Sequence, residues 1–288
     1  MTDESQVRAL ISAIDVRIRQ ELRVRCEEYK PDFQAPEVFS VVTALLARQA
    51  TLAIEMASAP QLWNGHSAPL FLRAMTDVHI TLAWILLDAR VRVRQYIDHG
   101  LGQAVLALEH RKKEMESARV DSKEMLEDLI SAEEAWINAQ KWSFLVNVNI
   151  GAWSGKTTRQ MSEEAGILEF YNYAYTPFSQ CAHSTWYHVG RYNSGPSESP
   201  LTRQLWMPGI LDSSSDIWNL HLAAKYLDKT FDMFDEKALH RPPSSGIRDW
   251  IYGEIETRFG SDDRNLNSSA ATGTKRKQRE PSMENKMK

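Results

Sequence analysis

Apolar residues recur every three or four positions through most of the chain, which is the spacing of one face of an α-helix. Leu10, Ile14 and Ile18 predict a first helix that ends before Pro31. A second apolar stripe predicts a helix over residues 36–57, which a turn at Pro60 ends. The chain therefore opens with two amphipathic helices.

The third predicted helix is apolar on nearly every side. Ser67 can cap it, and it extends to about Ala89. A helix of this kind normally lies at the centre of a bundle, where other helices cover all of its faces. Arg73 and Asp77 lie on the face that continues into Trp84, so two charges are expected where a core should be.

The middle of the chain predicts a helical hairpin. One helix begins near Val91 and becomes strongly charged over residues 109–116, and the next extends from Ser122 to Asn138. The charged residues are expected to be solvated at the tip of the hairpin. Residues 141–158 lack a clear period and predict an ordered loop.

An aromatic segment follows a short helix that begins at Thr158 and ends at Gly166. The segment covers residues 167–189, and Pro177 should kink it or split it in two. Gly, Pro and Ser between residues 193 and 212 predict a loop, in which the sequence RQLWM suits a short extended piece.

The C-terminal part begins with a helix that Ser215 can cap and that has a regular apolar stripe from Ile217 to Phe234. The predicted fold class is all-α, a single-domain multi-helix bundle with an apolar central helix and a disordered C-terminal tail. Its parts are an N-terminal helix at residues 1–35, the main bundle at 36–240, a short helix at 241–259 and the tail at 260–288.

The composition indicates a globular protein with a large core, since 43% of the 288 residues are hydrophobic and nine are Trp. The formal net charge of −4 gives no global case for binding nucleic acid or a membrane. Cys26 and Cys181 lie outside any CxxC or Cys/His cluster, so no disulfide framework, metal or cofactor is expected. The polar N-terminus and the lack of an apolar run near 20 residues predict a cytoplasmic protein without a membrane partner.

The first candidate site is the pair Arg73 and Asp77, whose four-residue spacing places both side chains on one helix face. A buried pair costs several kcal/mol in desolvation unless its geometry offsets that cost, which favours a functional role. In that role Arg73 contacts an anion or phosphate and Asp77 orients it. A structural ion pair that sets helix register carries equal weight.

The second candidate is a polar stripe in the aromatic segment, formed by Tyr171, Tyr175, Ser179 and His183 at steps of four residues. Such a stripe could stack a base, bind a polar ligand or supply acid/base chemistry through His183. Tyrosines at the edge of a core, beside a hydrogen-bonded histidine, are an equally good interpretation.

Other motifs carry less weight. Arg73 and His79 match the R-x(4-6)-H spacing of the HEPN superfamily, the all-helical nucleotide-binding and ribonuclease domains, although a six-residue offset turns the two side chains about 120° apart. The sequence GAWSGKT at residues 151–157 has one residue too few for a phosphate-binding loop. His183 and His188 are five residues apart, which does not suit two metal ligands on one helix face.

The order of the two polar stripes resembles a bacterial family catalogued as domain of unknown function 5677. In that family an apolar helix carries an arginine followed four positions later by an acid, usually Glu, and Asp77 takes that place here. A tryptophan-containing loop, a short helix that ends in glycine and a helix with the pattern Y-x3-S-x3-H come later. The resemblance covers about residues 36–239, and it implies a shared site for Arg73, Asp77, Tyr175, Ser179 and His183.

Our leading functional hypothesis is a HEPN-like protein of a bacterial defence or stress system that acts on RNA or a nucleotide. Arg73, oriented by Asp77, would hold a phosphate, and His183 would transfer a proton. The substrate would be positioned by Tyr171, Tyr175 and Ser179.

Two alternatives stay open. The same groove could bind a ligand or a partner helix without catalysis. The stripes could also be internal hydrogen-bond networks of a structural bundle, with Trp250 and Phe259 at a homo-oligomer contact. The distance between the stripes separates these hypotheses, because a site needs converging side chains that solvent can reach.

Overall fold

The computed structural model describes residues 4–144, 154–210 and 213–259. Helices form most of this part, so the prediction of an all-α fold is confirmed. In chain order they are α1 (Glu4–Glu28), α2 (Pro36–Ser58), α3 (Ala68–Ile85), α4 (Ala89–Ser117), α5 (Val120–Phe144), α6 (Thr158–Glu164), α7 (Leu168–Phe170), a π-helix (Tyr171–Tyr175), α8 (Thr176–Ala182), α9 (Trp186–Tyr192), α10 (Trp218–Lys237) and α11 (Ile247–Phe259).

The helix α3 lies at the centre of the bundle, as its apolar sequence predicts. It packs against α2 and α10 on one side and against α6, the π-helix and α8 on the other. Leu72, Met75, Ile80 and Ala83 are completely buried. Each buried Leu, Met or Ile side chain stabilises the fold by roughly 1.5–3 kcal/mol, so the covering helices are held to α3 mainly by its apolar surface.

The terminal helices complete the same core. Ile14 and Ile18 of α1 and Ile251 and Ile255 of α11 belong to one continuous apolar cluster with the residues of α2, α3 and α10. Trp250 and Phe259 are half-buried against that cluster within their own chain. By length and composition α2 could span a membrane, and half of that apolar segment is buried in this fold. The absence of a membrane partner stays a prediction.

The helices α4 and α5 form the predicted hairpin, with a small apolar cluster of Leu108, Ile130 and Ile137 between them. The helix α5 extends to Phe144 and does not end at Asn138, so the prediction of a loop was wrong for residues 141–144. The physical reason is that good helix formers follow Asn138 and no proline or glycine stops the helix there. The rest of the predicted loop up to residue 153, with Trp153, and the predicted tail at 260–288 lie outside the described residues.

Three predicted boundaries differ from the structure. The helix α3 ends at Ile85 and a tight turn leads directly into α4 at Ala89. Ser215 does not cap α10, because its hydroxyl donates a hydrogen bond to the carbonyl of Pro60 at 2.9 Å. The expected extended piece is one strand of a small antiparallel hairpin, in which β1 (Ser194–Pro196) pairs with β2 (Trp206–Pro208).

A buried hydrogen-bond network joins the three central helices. The Nε2 atom of Gln49 on α2 donates to the hydroxyl of Thr230 on α10 at 3.0 Å, and His79 Nδ1 on α3 lies 3.0 Å from the same hydroxyl. The His79 ring also contacts the ring of Phe170, with 4.5 Å between the centroids. Burial lowers the pKa of His79 to about 3, and the positive charges of Lys229 and Lys237 act in the same direction.

A buried ion pair fixes α1 against α10. Arg25 and Asp235 are completely buried, and their Nη2 and Oδ2 atoms are 2.8 Å apart. Asp235 also accepts hydrogen bonds from Arg241 at 3.0 Å and Ser244 at 2.8 Å, while the Arg25 guanidinium lies 4.4 Å from the Phe231 ring centroid. Further hydrogen bonds therefore compensate the desolvation of both charges.

Replacement of Asp235 by Ala should lower the free energy of unfolding by about 3–5 kcal/mol, because the buried Arg25 loses its completely buried partner and keeps the partly exposed Glu21. The double variant Arg25→Met/Asp235→Ala should lose clearly less stability than the sum of the losses of Arg25→Met and Asp235→Ala. Urea unfolding of the four proteins measures this. Arg19→Ala, which removes an exposed pair with Asp15, is the control and should change stability by about 0.5 kcal/mol or less. Additive losses would contradict the assigned role of the pair.

The buried His79 should make the fold sensitive to acid. Its pKa is lowered from 6.5 to about 3 on folding, so between these values the unfolded chain binds a proton that the folded protein excludes. The contribution of His79 to stability therefore rises with pH from about 3 to about 6.5 and then levels off, and this contribution is about 2 kcal/mol smaller at pH 5 than at pH 7. Thermal melts of His79→Asn should have a flatter pH dependence below 6.5. Thr230→Val, which keeps the buried imidazole, should retain the wild-type slope.

Candidate functional site

The helix α3 brings Arg73 to the edge of the core. The Arg73 side chain is only 12% exposed, and its Nη1 atom pairs with Oδ2 of Asp77, whose side chain is 46% exposed. Burial of the Asp77 carboxyl raises its pKa, and the opposing attraction of Arg73 does not cancel that effect. The pair therefore leaves a carboxylate at the surface beside a guanidinium that is largely withdrawn from water.

The π-helix places the Tyr175 ring against Arg73 and the Tyr171 ring against Tyr175. The Arg73 guanidinium carbon lies 3.4 Å from the centroid of the Tyr175 ring, and the rings of Tyr171 and Tyr175 are stacked with 4.7 Å between centroids and 21° between planes. A guanidinium 3.4 Å from the ring centroid covers one face of Tyr175, so the stacked Tyr171 ring lies on the other face. The result is a three-layer stack in the order arginine, tyrosine, tyrosine.

The widened turn of the π-helix has a local cause in Pro177. A proline ring clashes with the carbonyl four residues earlier in an α-helix. Here the backbone N–H of Thr176 donates to the carbonyl of Tyr171, five residues back, so the turn is wider just before the proline. The segment is therefore not split at Pro177, and π turns of this kind occur frequently at functional sites.

Two contacts set the register of this segment on α3. The Cys181 thiol donates to the carbonyl of His66 at 3.4 Å, and Tyr175 contacts Arg73, so the segment is antiparallel to α3. Because the two helices are antiparallel, Tyr171 lies near the level of Asp77, one turn along α3 from the level of Arg73 and Tyr175. We call Arg73, Asp77, Tyr171 and Tyr175 the arginine–tyrosine cluster.

A neighbouring element supports the cluster. The Tyr175 hydroxyl donates to Oγ1 of Thr158 at 3.3 Å, at the start of α6. A capping box between Thr157 and Gln160 fixes that helix start, and Trp84 Nε1 donates to Glu164 at 2.7 Å near its end. Sequence reasoning missed Thr158 as a cluster neighbour. The capping box predicts the helix start, but no local pattern predicts contact with a tyrosine 17 residues away.

The aromatic segment breaks at His183 instead of Pro177. Ser184 adopts a left-handed conformation with φ of 47°, and the N–H of Thr185 donates to the carbonyl of Gln180, which is the hydrogen bonding of a Schellman helix end. His183 is exposed at this end. It is eight residues beyond Tyr175, which corresponds to about 12 Å along an α-helix.

The structure therefore brings together four of the six predicted site residues, namely the arginine–tyrosine cluster. Ser179 is half-buried one turn beyond Tyr175, about 6 Å along the helix axis. His183 lies two turns away at the other end of α8. The functional roles assigned to these residues stay predictions.

His79 lies apart from Arg73. The imidazole is 4% exposed and bonded to Thr230 inside the core, whereas Arg73 faces the π-helix. The R-x(4-6)-H spacing therefore does not produce a joint, solvent-reachable site, and a histidine with a pKa of about 3 is neutral at physiological pH. Within the described residues, no group of three or more His, Cys, Asp or Glu is placed to hold a metal ion.

The central part of the chain is similar to a known protein family. A family model with the description "Family of unknown function (DUF5677)" matches residues 39–200, which is more than half of the chain. The chain belongs to the DUF5677 family. The resemblance noted in the sequence is thus confirmed, and the matched region contains every residue of the arginine–tyrosine cluster. No curated protein and no solved structure matches the chain.

The contact between Arg73 and Tyr175 should be measurable as a coupling energy in this DUF5677 protein. In a double-mutant cycle with Arg73→Met and Tyr175→Leu, the coupling should be about 1–2 kcal/mol, because the guanidinium is largely desolvated over the ring. Urea unfolding measures it, and Tyr175→Phe should retain most of the coupling. Tyr173, 81% exposed on the same turn, supplies the control, since Tyr173→Leu should not couple to Arg73→Met. Equal coupling for both tyrosines would contradict the stacked geometry.

Proposed function

We propose that this DUF5677 protein is a non-catalytic binding module that recognises an unpaired nucleobase with its arginine–tyrosine cluster. The observation that carries the proposal is the stack of Arg73, Tyr175 and Tyr171 beside the half-exposed carboxylate of Asp77. It combines a preformed aromatic surface with one oriented hydrogen-bond acceptor. These are the two elements with which proteins bind bases that are not paired in a duplex.

The aromatic surface supports stacking. Tyr171 and Tyr175 are both half-buried, so the core holds the rings while part of each reaches solvent. Arg73 on the far face of Tyr175 fixes that ring, and the hydrogen bond to Thr158 fixes its hydroxyl. A rigid ring loses little conformational entropy when a ligand binds, and stacking of one base on an aromatic side chain contributes roughly 1–3 kcal/mol.

The carboxylate of Asp77 supports selection among bases. A carboxylate accepts N–H donors, and the Watson–Crick edge of guanine presents two of them side by side. Arg73 holds one carboxylate oxygen, so the orientation of the group is set before a ligand arrives. We therefore expect guanine to bind more tightly than the other bases.

The geometry gives less support to RNA cleavage by Arg73 and His183. A general acid or base must come within hydrogen-bond reach of the proton it transfers. His183 lies about 12 Å along the helix from the ring that contacts Arg73. The guanidinium itself is already engaged by Asp77 and Tyr175, so it is not free to neutralise a phosphate.

The proposal is tested by titration calorimetry with GMP, AMP, CMP and UMP and with a short unstructured G-containing ribo-oligonucleotide. GMP should bind most tightly. Tyr171→Leu should weaken GMP binding at least about fivefold because the stacking surface is lost. Asp77→Asn should weaken the binding of GMP more than the binding of UMP. The matched control is Tyr173→Leu, which alters an exposed tyrosine of the same turn and should bind GMP like the wild type.

The two ligand forms separate the sources of the base. Tighter binding of the oligonucleotide than of GMP would identify RNA as the natural ligand, and equal binding would identify a free nucleotide. Equal affinities of Tyr171→Leu and Tyr173→Leu would refute the proposal. Cleavage of RNA in metal-free buffer that His183→Ala abolishes would restore the catalytic hypothesis in its place.

A further inference from the structure

A second concave surface lies between α2, α4 and α5, on elements that do not contribute to the arginine–tyrosine cluster. It encloses about 580 Å³, within the range of roughly 300–1,000 Å³ that is usual for small-molecule sites. Its floor is formed by Val41 and Leu45 of α2 and by Ile97 and Leu101 of α4, all of which are buried. The floor is therefore entirely aliphatic.

The walls of this groove leave it open to solvent. Trp136 of α5 lines one side and is 52% exposed, although tryptophan is among the residues that gain most from burial. Gly100 of α4 lines the groove as well, and a Cβ atom built there would meet no atom within 4 Å. A larger side chain at position 100 would thus project into open space without disturbing the packing of α4.

Arg48 supplies the polar end of the groove. It is the one charged side chain among the described residues that line this surface, and it forms no ion pair with any residue that the structure describes. The other polar lining groups are uncharged. An aliphatic floor with a single free cation matches a molecule that has one long apolar part and one anionic head.

We infer that the groove binds a single-chain amphiphile with an anionic head, of the fatty-acid class, with its chain on the aliphatic floor and its carboxylate at Arg48. The apolar lining supplies the affinity, since each methylene removed from water contributes about 0.8 kcal/mol. The exposed Arg48 supplies a smaller contribution and sets the direction of the chain. The inference does not depend on the proposed function of the arginine–tyrosine cluster.

The test is titration calorimetry of the full chain with dodecanoate, decanoate and dodecanol, at concentrations far below micelle formation. The wild type should bind dodecanoate, and decanoate should bind roughly tenfold more weakly because two methylenes are missing. Arg48→Gln should weaken the binding of dodecanoate about fivefold and leave the affinity for dodecanol unchanged. Gly100→Leu should weaken dodecanoate binding roughly tenfold or more, since its side chain projects into the groove and displaces part of the chain from the aliphatic floor.

The matched control is Gly100→Ala, which adds one methyl group in a helix and should retain both the fold and most of the binding. Failure of the wild type to bind dodecanoate would overturn the inference, and so would unchanged binding in Gly100→Leu. Size-exclusion chromatography measures the oligomeric state as a further test. If Gly100→Leu converts a dimer into a monomer and no amphiphile binds, the groove is a contact between two copies of the chain, and the inference is wrong.

Discussion

The structure depends on the requirement that an apolar helix must be covered on all sides. The helix α3 is predominantly apolar, and eleven of its eighteen residues are buried. The helices α2 and α10 cover one side, and α6, the π-helix and α8 cover the other. The remaining helices pack on these covering helices: α1 and α4 on α2, α11 on α10, and α5 on α4.

Polar groups on such a helix must be satisfied where they are buried. His79 meets this condition through Thr230, which also receives a hydrogen bond from Gln49, so one hydroxyl links the three central helices. Arg73 meets it differently, because a tyrosine ring covers the guanidinium and Asp77 neutralises it at the surface. The first arrangement is sealed and structural. The second lies at the boundary with water, and this position makes it a candidate for recognition.

The chain belongs to a family of unknown function, so its own function has to be inferred from the geometry of its side chains. The arginine–tyrosine cluster and the groove at Arg48 have contrasting properties. The cluster offers aromatic faces and an acceptor, whereas the groove offers an aliphatic floor and a cation. Because they are built on different helices, a ligand at one surface does not have to displace a ligand at the other.

Local sequence patterns predict much of the fold and the two residue pairs that make up the arginine–tyrosine cluster. Helical spacing identifies α3 and its central position, and four-residue spacing pairs Arg73 with Asp77 and Tyr171 with Tyr175. These relations hold within one helix turn, where backbone geometry alone sets the neighbours. Gly166 likewise marks a helix end, with φ of 72°, because a residue without Cβ adopts that conformation readily.

Only the tertiary structure decided which of these local pairs meet. The contact of Arg73 with Tyr175 joins residues that are about a hundred positions apart, and the burial of His79 depends on Thr230 and Phe170 from two other helices. His183 stays outside the cluster because two helix turns, about 12 Å along the axis, separate it from Tyr175, and the helix ends there at Ser184. The physical reason is that the packing of helices minimises exposed apolar surface over the whole chain at once. A periodic pattern predicts which face of a helix is apolar, but only the packing of the complete fold determines which other helix covers that face.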